Sequence, residues 1–123
     1  MDLNLEKPGD HLFVKSVAKE GITVVDQLYT SPVILSAQTI ITDWPARSFD
    51  QLTASHLETI LPLNPEVVLI GTGPRQAFLS PEQMMFFYER GIGIEAMTTD
   101  AACRTFNVLV SELRNVVAAL FPV

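Results

Sequence analysis

Glu66-Val67-Val68-Leu69-Ile70-Gly71-Thr72-Gly73-Pro74-Arg75 sets the architecture of this chain. Four consecutive aliphatic residues leave no polar face. A strand built from them must be covered on both sides, as a central strand of a layered α/β sheet is. The run stops at Gly71-Thr72-Gly73, where glycine allows a tight turn and leaves the amides bare of side chains. Downstream, Ser80-Pro81-Glu82-Gln83 marks a helix start, with Ser80 as N-cap, Pro81 at the first helical position and Gln83 at the capping-box position. This helix is expected to run to about Arg90 and to close at Gly91. Gly93–Met97 reads as a second strand, and Thr98 or Thr99 caps a long last helix. Ala102, Phe106, Leu109, Leu113, Val117 and Leu120 follow the spacing of one buried helical face. The order strand, helix, strand, helix predicts two parallel strands ending on one sheet edge. The loops Gly71–Arg75 and Thr98–Asp100 then adjoin in the crevice where open α/β sheets hold ligands.

Upstream, His11–Val17, Ile22–Val25, Leu28–Thr30, Val33–Leu35 and Thr39–Trp44 read as short strands. They are punctuated by Gly21, the turn around Asp26-Gln27, Pro32 and Pro45. A helix begins near Thr53, capped by Thr53 or Ser55, with Leu57, Ile60 and Leu61 as its apolar stripe and Pro62 and Pro65 beyond it. Without a repeat, linker or low-complexity tract, residues 1–123 read as one domain. At 48% hydrophobic and 18% charged, the composition fits a well-filled core and excludes a disordered chain. No apolar run approaches the ~20 residues of a membrane span, so no membrane insertion is expected. Fourteen acidic against eight basic residues give a formal charge of −6, which repels phosphate backbones and argues against nucleic acid as a partner. Met1–Lys7 lacks the basic and apolar regions of a secretory leader, and its acidity does not suit a transit peptide. Cys103, the single cysteine, cannot form an internal disulfide and reads as a small buried hydrophobe. Both features point to the cytoplasm.

Gly71-Thr72-Gly73 invites comparison with a dinucleotide loop, but position 76 is Gln76 rather than a third glycine, and Pro74 removes an amide. The segment is either a structural turn or a small-anion site. Arg75 suits the second role, because a guanidinium clamps a carboxylate or phosphate; its other role is a structural pair with Asp100 or Glu95. Thr98, Thr99 and Asp100 read as helix capping, and Arg104, four residues after Asp100, as its solvated partner. Trp44 is a core plug or a contact for a partner. Met84-Met85-Phe86-Phe87-Tyr88 places apolar groups all round a helix, so a second face must be covered either by the N-terminal strands or by another protein. His11 and His56 are isolated, no Gly-x-Ser-x-Gly elbow exists, and Cys103 has no base near it in sequence. No metal or cofactor is expected.

Ile41–Pro45, Glu66–Gly73, Arg90–Thr99 and Ala101–Leu109, taken as an ordered set, resemble a family of small domains of unknown function. Its eukaryotic relatives include a mitochondrial respiratory complex I assembly factor and an adipogenesis-associated cytosolic protein. The resemblance implies a three-layer α/β fold with a mixed central sheet and an additional β layer from the N-terminal half, and no established catalytic activity or cofactor. The family commonly has Glu-Gly-Arg in the last helix, where this chain has Glu112-Leu113-Arg114. Lacking a transit peptide, the chain is similar to bacterial cytoplasmic members. The expected function is therefore a non-catalytic interaction or assembly module, contacting a protein partner or a second copy through Trp44, Met84, Met85, Phe87 and Tyr88. The alternative is an anionic-ligand binder or undiscovered enzyme using Thr72, Gly73, Arg75, Thr98, Thr99 and Arg104.

Overall fold

The computed structural model describes residues 11–123, so the expectation for Met1–Lys7 lies outside the described residues. Along the chain come β1 (Val14–Ala18), β2 (Gly21–Val24), β3 (Gln27–Tyr29), β4 (Val33–Leu35), β5 (Ile40–Ile41), α1 (Ala54–Glu58), β6 (Val67–Gly71), α2 (Pro81–Tyr88), β7 (Gly93–Met97), α3 (Thr99–Ser111) and β8 (Val116–Leu120). β1, β2 and β3 form an antiparallel three-stranded sheet. The other strands form a mixed five-stranded sheet in the order β5-β4-β8-β6-β7. β6 runs parallel to both neighbours, whereas β4 is antiparallel to β8 and to β5.

The apolar runs of β6 and β8 follow from this position. Successive side chains of a strand point to opposite faces, so a central strand feeds two cores at once. Val68, Ile70, Val117, Ala119 and Ile34 enter one core, with Trp44, Leu57, Ile60, Phe87 and Phe121. Leu69, Val116, Ala118, Leu120, Val33 and Leu35 enter the other, with Ala102, Phe106 and Val110 of α3 and with Val14, Ile22 and Val24 of the small sheet. The molecule is thus layered, with α1 and α2 on one face of the mixed sheet and α3 with the additional β layer on the other. Asn107 of α3 ties in β1: its amide oxygen accepts from the Val14 N–H at 2.8 Å and its Nδ2 donates to the Val14 carbonyl at 2.9 Å. These bonds serve the backbone where β1 bulges and its pairing with β2 lapses.

The expected last helix is too long. It ends at Ser111, and Val117 and Leu120 belong to β8, a strand buried along its whole length. The stop is a Schellman closure, in which Leu113 N–H donates to Val110 O at 3.1 Å and Arg114 N–H to Leu109 O at 3.0 Å. Leu113 takes the left-handed position, φ 64, that glycine ordinarily fills. Glu112-Leu113-Arg114 therefore lies at the C-terminal cap of α3 rather than within it. Other boundaries shift less. The first strand starts at Val14, the Thr39–Trp44 run narrows to Ile40–Ile41, and α1 ends at Glu58 before Ile60 and Leu61. α2 ends at Tyr88, and Gly91 turns the chain at φ 72.

Candidate functional site

β6, β7 and β8 are parallel neighbours and finish level, with Gly71 paired to Met97 on one side and Leu120 on the other. The loops at Gly71 and Thr98 therefore meet, as expected from topology. Thr99 occupies the meeting point and is fully buried. Its hydroxyl accepts from the Gly73 N–H at 2.8 Å and donates to the Phe121 carbonyl, while its own N–H donates to the Gly73 carbonyl at 3.0 Å. Gly71 is glycine for a steric reason: a Cβ there would lie 2.9 Å from Thr99 Oγ1 and 3.0 Å from Leu120 Cδ2.

The polar groups of this crevice are engaged with one another. Thr72 donates its hydroxyl to the Arg75 carbonyl at 2.6 Å and its N–H to the Met97 carbonyl at 2.8 Å. Thr98 accepts from the Ala101 N–H at 3.3 Å as the N-cap of α3, which fixes the capping role on Thr98 and leaves Thr99 as a clamp between strand ends. Arg104 pairs with Asp100 on the exposed face of α3, as their spacing predicted. Arg75 is exposed and, among the described residues, forms no ion pair with Asp100 or Glu95. Of the six residues grouped by sequence, Thr72, Gly73, Thr98 and Thr99 come together, Arg75 projects from the same loop, and Arg104 lies one turn into α3.

Cys103 is buried in α3, and burial, reinforced by the Asp100 charge, pushes its thiol up to about 12 despite Arg104 nearby. A thiol held protonated in this way is a poor nucleophile. Among the described residues no group of three or more His, Cys, Asp or Glu side chains is placed to hold a metal ion.

The other residue set divides by burial. Trp44 is core: it donates its indole N–H to the His56 carbonyl at 3.1 Å and lies 5.4 Å from the Phe121 ring. Phe87 is completely buried, so neither it nor Trp44 offers surface to a partner. This corrects their assignment to an interface, and it explains the apolar run, because Phe87 points into the core beneath α2. Met84 is partly buried, while Met85 and Tyr88 remain about half exposed, at 50% and 49%. Phe78, just before the Ser80 cap and not singled out by sequence, is 84% exposed. An isolated aromatic in a loop carries no periodicity, so only the structure reveals its exposure. Arg90 stacks over Phe86 at 4.1 Å from the ring centroid and keeps that aromatic covered. Between α1 and α2 lies a groove of about 510 Å³ lined by Leu52, Thr53, Ala54, Leu57, Ser80, Glu82, Gln83 and Phe86.

No helix of the described residues is long and apolar enough to cross a membrane. Over 118 residues the chain is 36% identical to a Francisella tularensis protein named 13 kDa major membrane protein, covering 94% of this chain and 95% of that one. It is 30% identical over 115 residues to NADH dehydrogenase (ubiquinone) 1 alpha subcomplex assembly factor 3 of Xenopus tropicalis, covering 92% of this chain but 62% of that protein. A crystal structure of a Bordetella parapertussis protein superposes with a TM-score of 0.86 at 37% identity, over 92% of this chain and 97% of that one. Residues 14–121 match the family described as protein of unknown function, DUF498/DUF598. The chain belongs to that family, whose relatives include assembly factors.

Proposed function

We propose that this protein is a non-catalytic interaction module acting in the assembly of a larger protein complex. The observation that carries the reading is the outer surface of α2 and the loop before it, where Phe78, Met85 and Tyr88 stand exposed. Large apolar side chains left exposed on a helix and on the loop that leads into it favour a protein contact over solvent. The self-satisfied polar groups of the crevice support the non-catalytic part, since Thr99 and the Gly73 amide are already bonded to each other. The similarity to assembly factors is consistent with the role, although the chain spans about three-fifths of the length of the Xenopus relative. The free, buried Cys103 is in keeping with a cytoplasmic location, and subcellular fractionation should then recover the protein apart from membranes.

The test is a triple variant, Phe78→Ser, Met85→Ser and Tyr88→Ser, none of which removes a buried side chain. Tagged wild-type protein should retain a stoichiometric partner through purification, and the variant should lose it with an unchanged circular dichroism spectrum. Equal retention by both proteins would overturn the assignment.

A further inference from the structure

Among the described residues, β7 lies at the edge of the five-stranded sheet, paired with β6 on one side only. Its register determines which backbone groups face outward. The Gly93 N–H donates to the Glu66 carbonyl, and the Met97 carbonyl accepts from the Thr72 N–H. Positions 93, 95 and 97 therefore turn their groups toward β6. In a parallel ladder the alternate residues, Ile94 and Ala96, turn theirs away. Gln76 makes this visible, because its Nε2 donates to the Ala96 carbonyl at 2.9 Å from the open side. A side-chain amide here stands where the N–H of a further strand would stand.

Open edges in native proteins are usually blunted by proline, lysine or a covering element. β7 has neither proline nor lysine and spans five residues, Gly93 to Met97. Glu95 supplies its single charge. α2 packs against β7, and the exposed Phe78 lies two residues beyond Gln76, whose amide reaches the open edge. The surrounding charge is acidic: Glu82 and Glu89 are exposed on and after α2, and the whole chain carries −6. Arg90 is drawn to the Phe86 ring and to Glu89 at 3.8 Å. Arg75 adds one positive charge beside Gln76.

We infer that β7 takes up an extended, Lys- or Arg-bearing segment of a partner protein as a further strand, whose N–H displaces Gln76 from Ala96. This rests on the interaction-module reading. Main-chain bonds supply affinity in such strand addition, and alternate side chains supply selectivity. The acidic surroundings favour a basic segment over a second copy, which would bring the same acids.

A displayed random octapeptide library, selected on the purified protein, is the probe. Selected peptides should carry net positive charge and slow hydrogen exchange at the Ile94 and Ala96 amides at least tenfold. Ala96→Pro, which deletes an outward N–H, should weaken them more than tenfold. Gln76→Ala, which removes the competing amide, should tighten them severalfold, and it keeps the inference testable if the proline variant does not fold. Acidic winners, protection confined to Leu57 and Phe86 in the groove, or protection that grows with protein concentration without peptide would each overturn it. If the triple serine variant loses its partner while Ile94 and Ala96 stay unprotected in the wild-type complex, strand addition fails and the module reading stands.

Discussion

Leu113 holds a left-handed backbone, φ 64, with its side chain 91% exposed, so nothing packs to offset the strain. A non-glycine residue there costs about 1–2 kcal/mol, of which the greater freedom of unfolded glycine would return about 0.5–1 kcal/mol. Leu113→Gly is therefore expected to stabilise the protein by about 0.5–1 kcal/mol, read from the midpoint of urea unfolding. Thr99 shows the opposite case. Thr99→Val leaves the Gly73 N–H and the Phe121 carbonyl unpaired at a buried site, which costs about 1–3 kcal/mol for each orphaned group. Thr99→Ser, keeping the hydroxyl, should lose much less in the same measurement. Glu66 carries a pH dependence. The Asn115 N–H at 2.9 Å and then the Arg114 guanidinium hold its carboxyl below the ordinary 4.5. A depressed folded value means the contribution is complete above 4.5 and fades as pH falls through the lower folded value. The stability gap between wild type and Glu66→Gln should accordingly close on acidification.

Among the elements, α2 was the most legible, because its start is written in local chemistry. Ser80 accepts from the Gln83 N–H at 3.1 Å, and the Gln83 side chain accepts from the Ser80 N–H at 2.9 Å, the reciprocal box that the residue types imply. Ser80→Ala should cost about 0.5–2 kcal/mol in thermal or urea unfolding and speed exchange of the Gln83 amide. β8 was not legible as a strand. Val117 and Leu120 happen to continue the helical spacing of α3, and the residue that ends the helix is leucine rather than the glycine that announces a cap. The remaining signal was Val116-Val117, a β-branched pair suited to a pleated, buried surface. Trp44 and Phe87 failed as interface candidates for a related reason: large apolar residues serve cores and contacts alike, and tertiary packing alone separates the two.

For the whole molecule, the layered α/β architecture followed from Val67–Ile70, whose unbroken apolarity requires cover on both faces. The position of β8 between β4 and β6 did not follow, since register over such sequence separation leaves no local mark. The candidate sites were legible only as neighbourhoods. Gly71 and Thr99 do meet, but the meeting holds three strand ends together, while Met85 and Tyr88 of α2 and Phe78 before it stay exposed. A native mass spectrum of the untagged protein, purified gently from the cells that make it, tests this division of labour most directly. The account predicts a complex with a second protein and no bound small molecule, and its loss in the Phe78, Met85 and Tyr88 serine variant. A monomer retaining an anionic metabolite that Arg75→Ala releases would contradict it and return the function to the crevice.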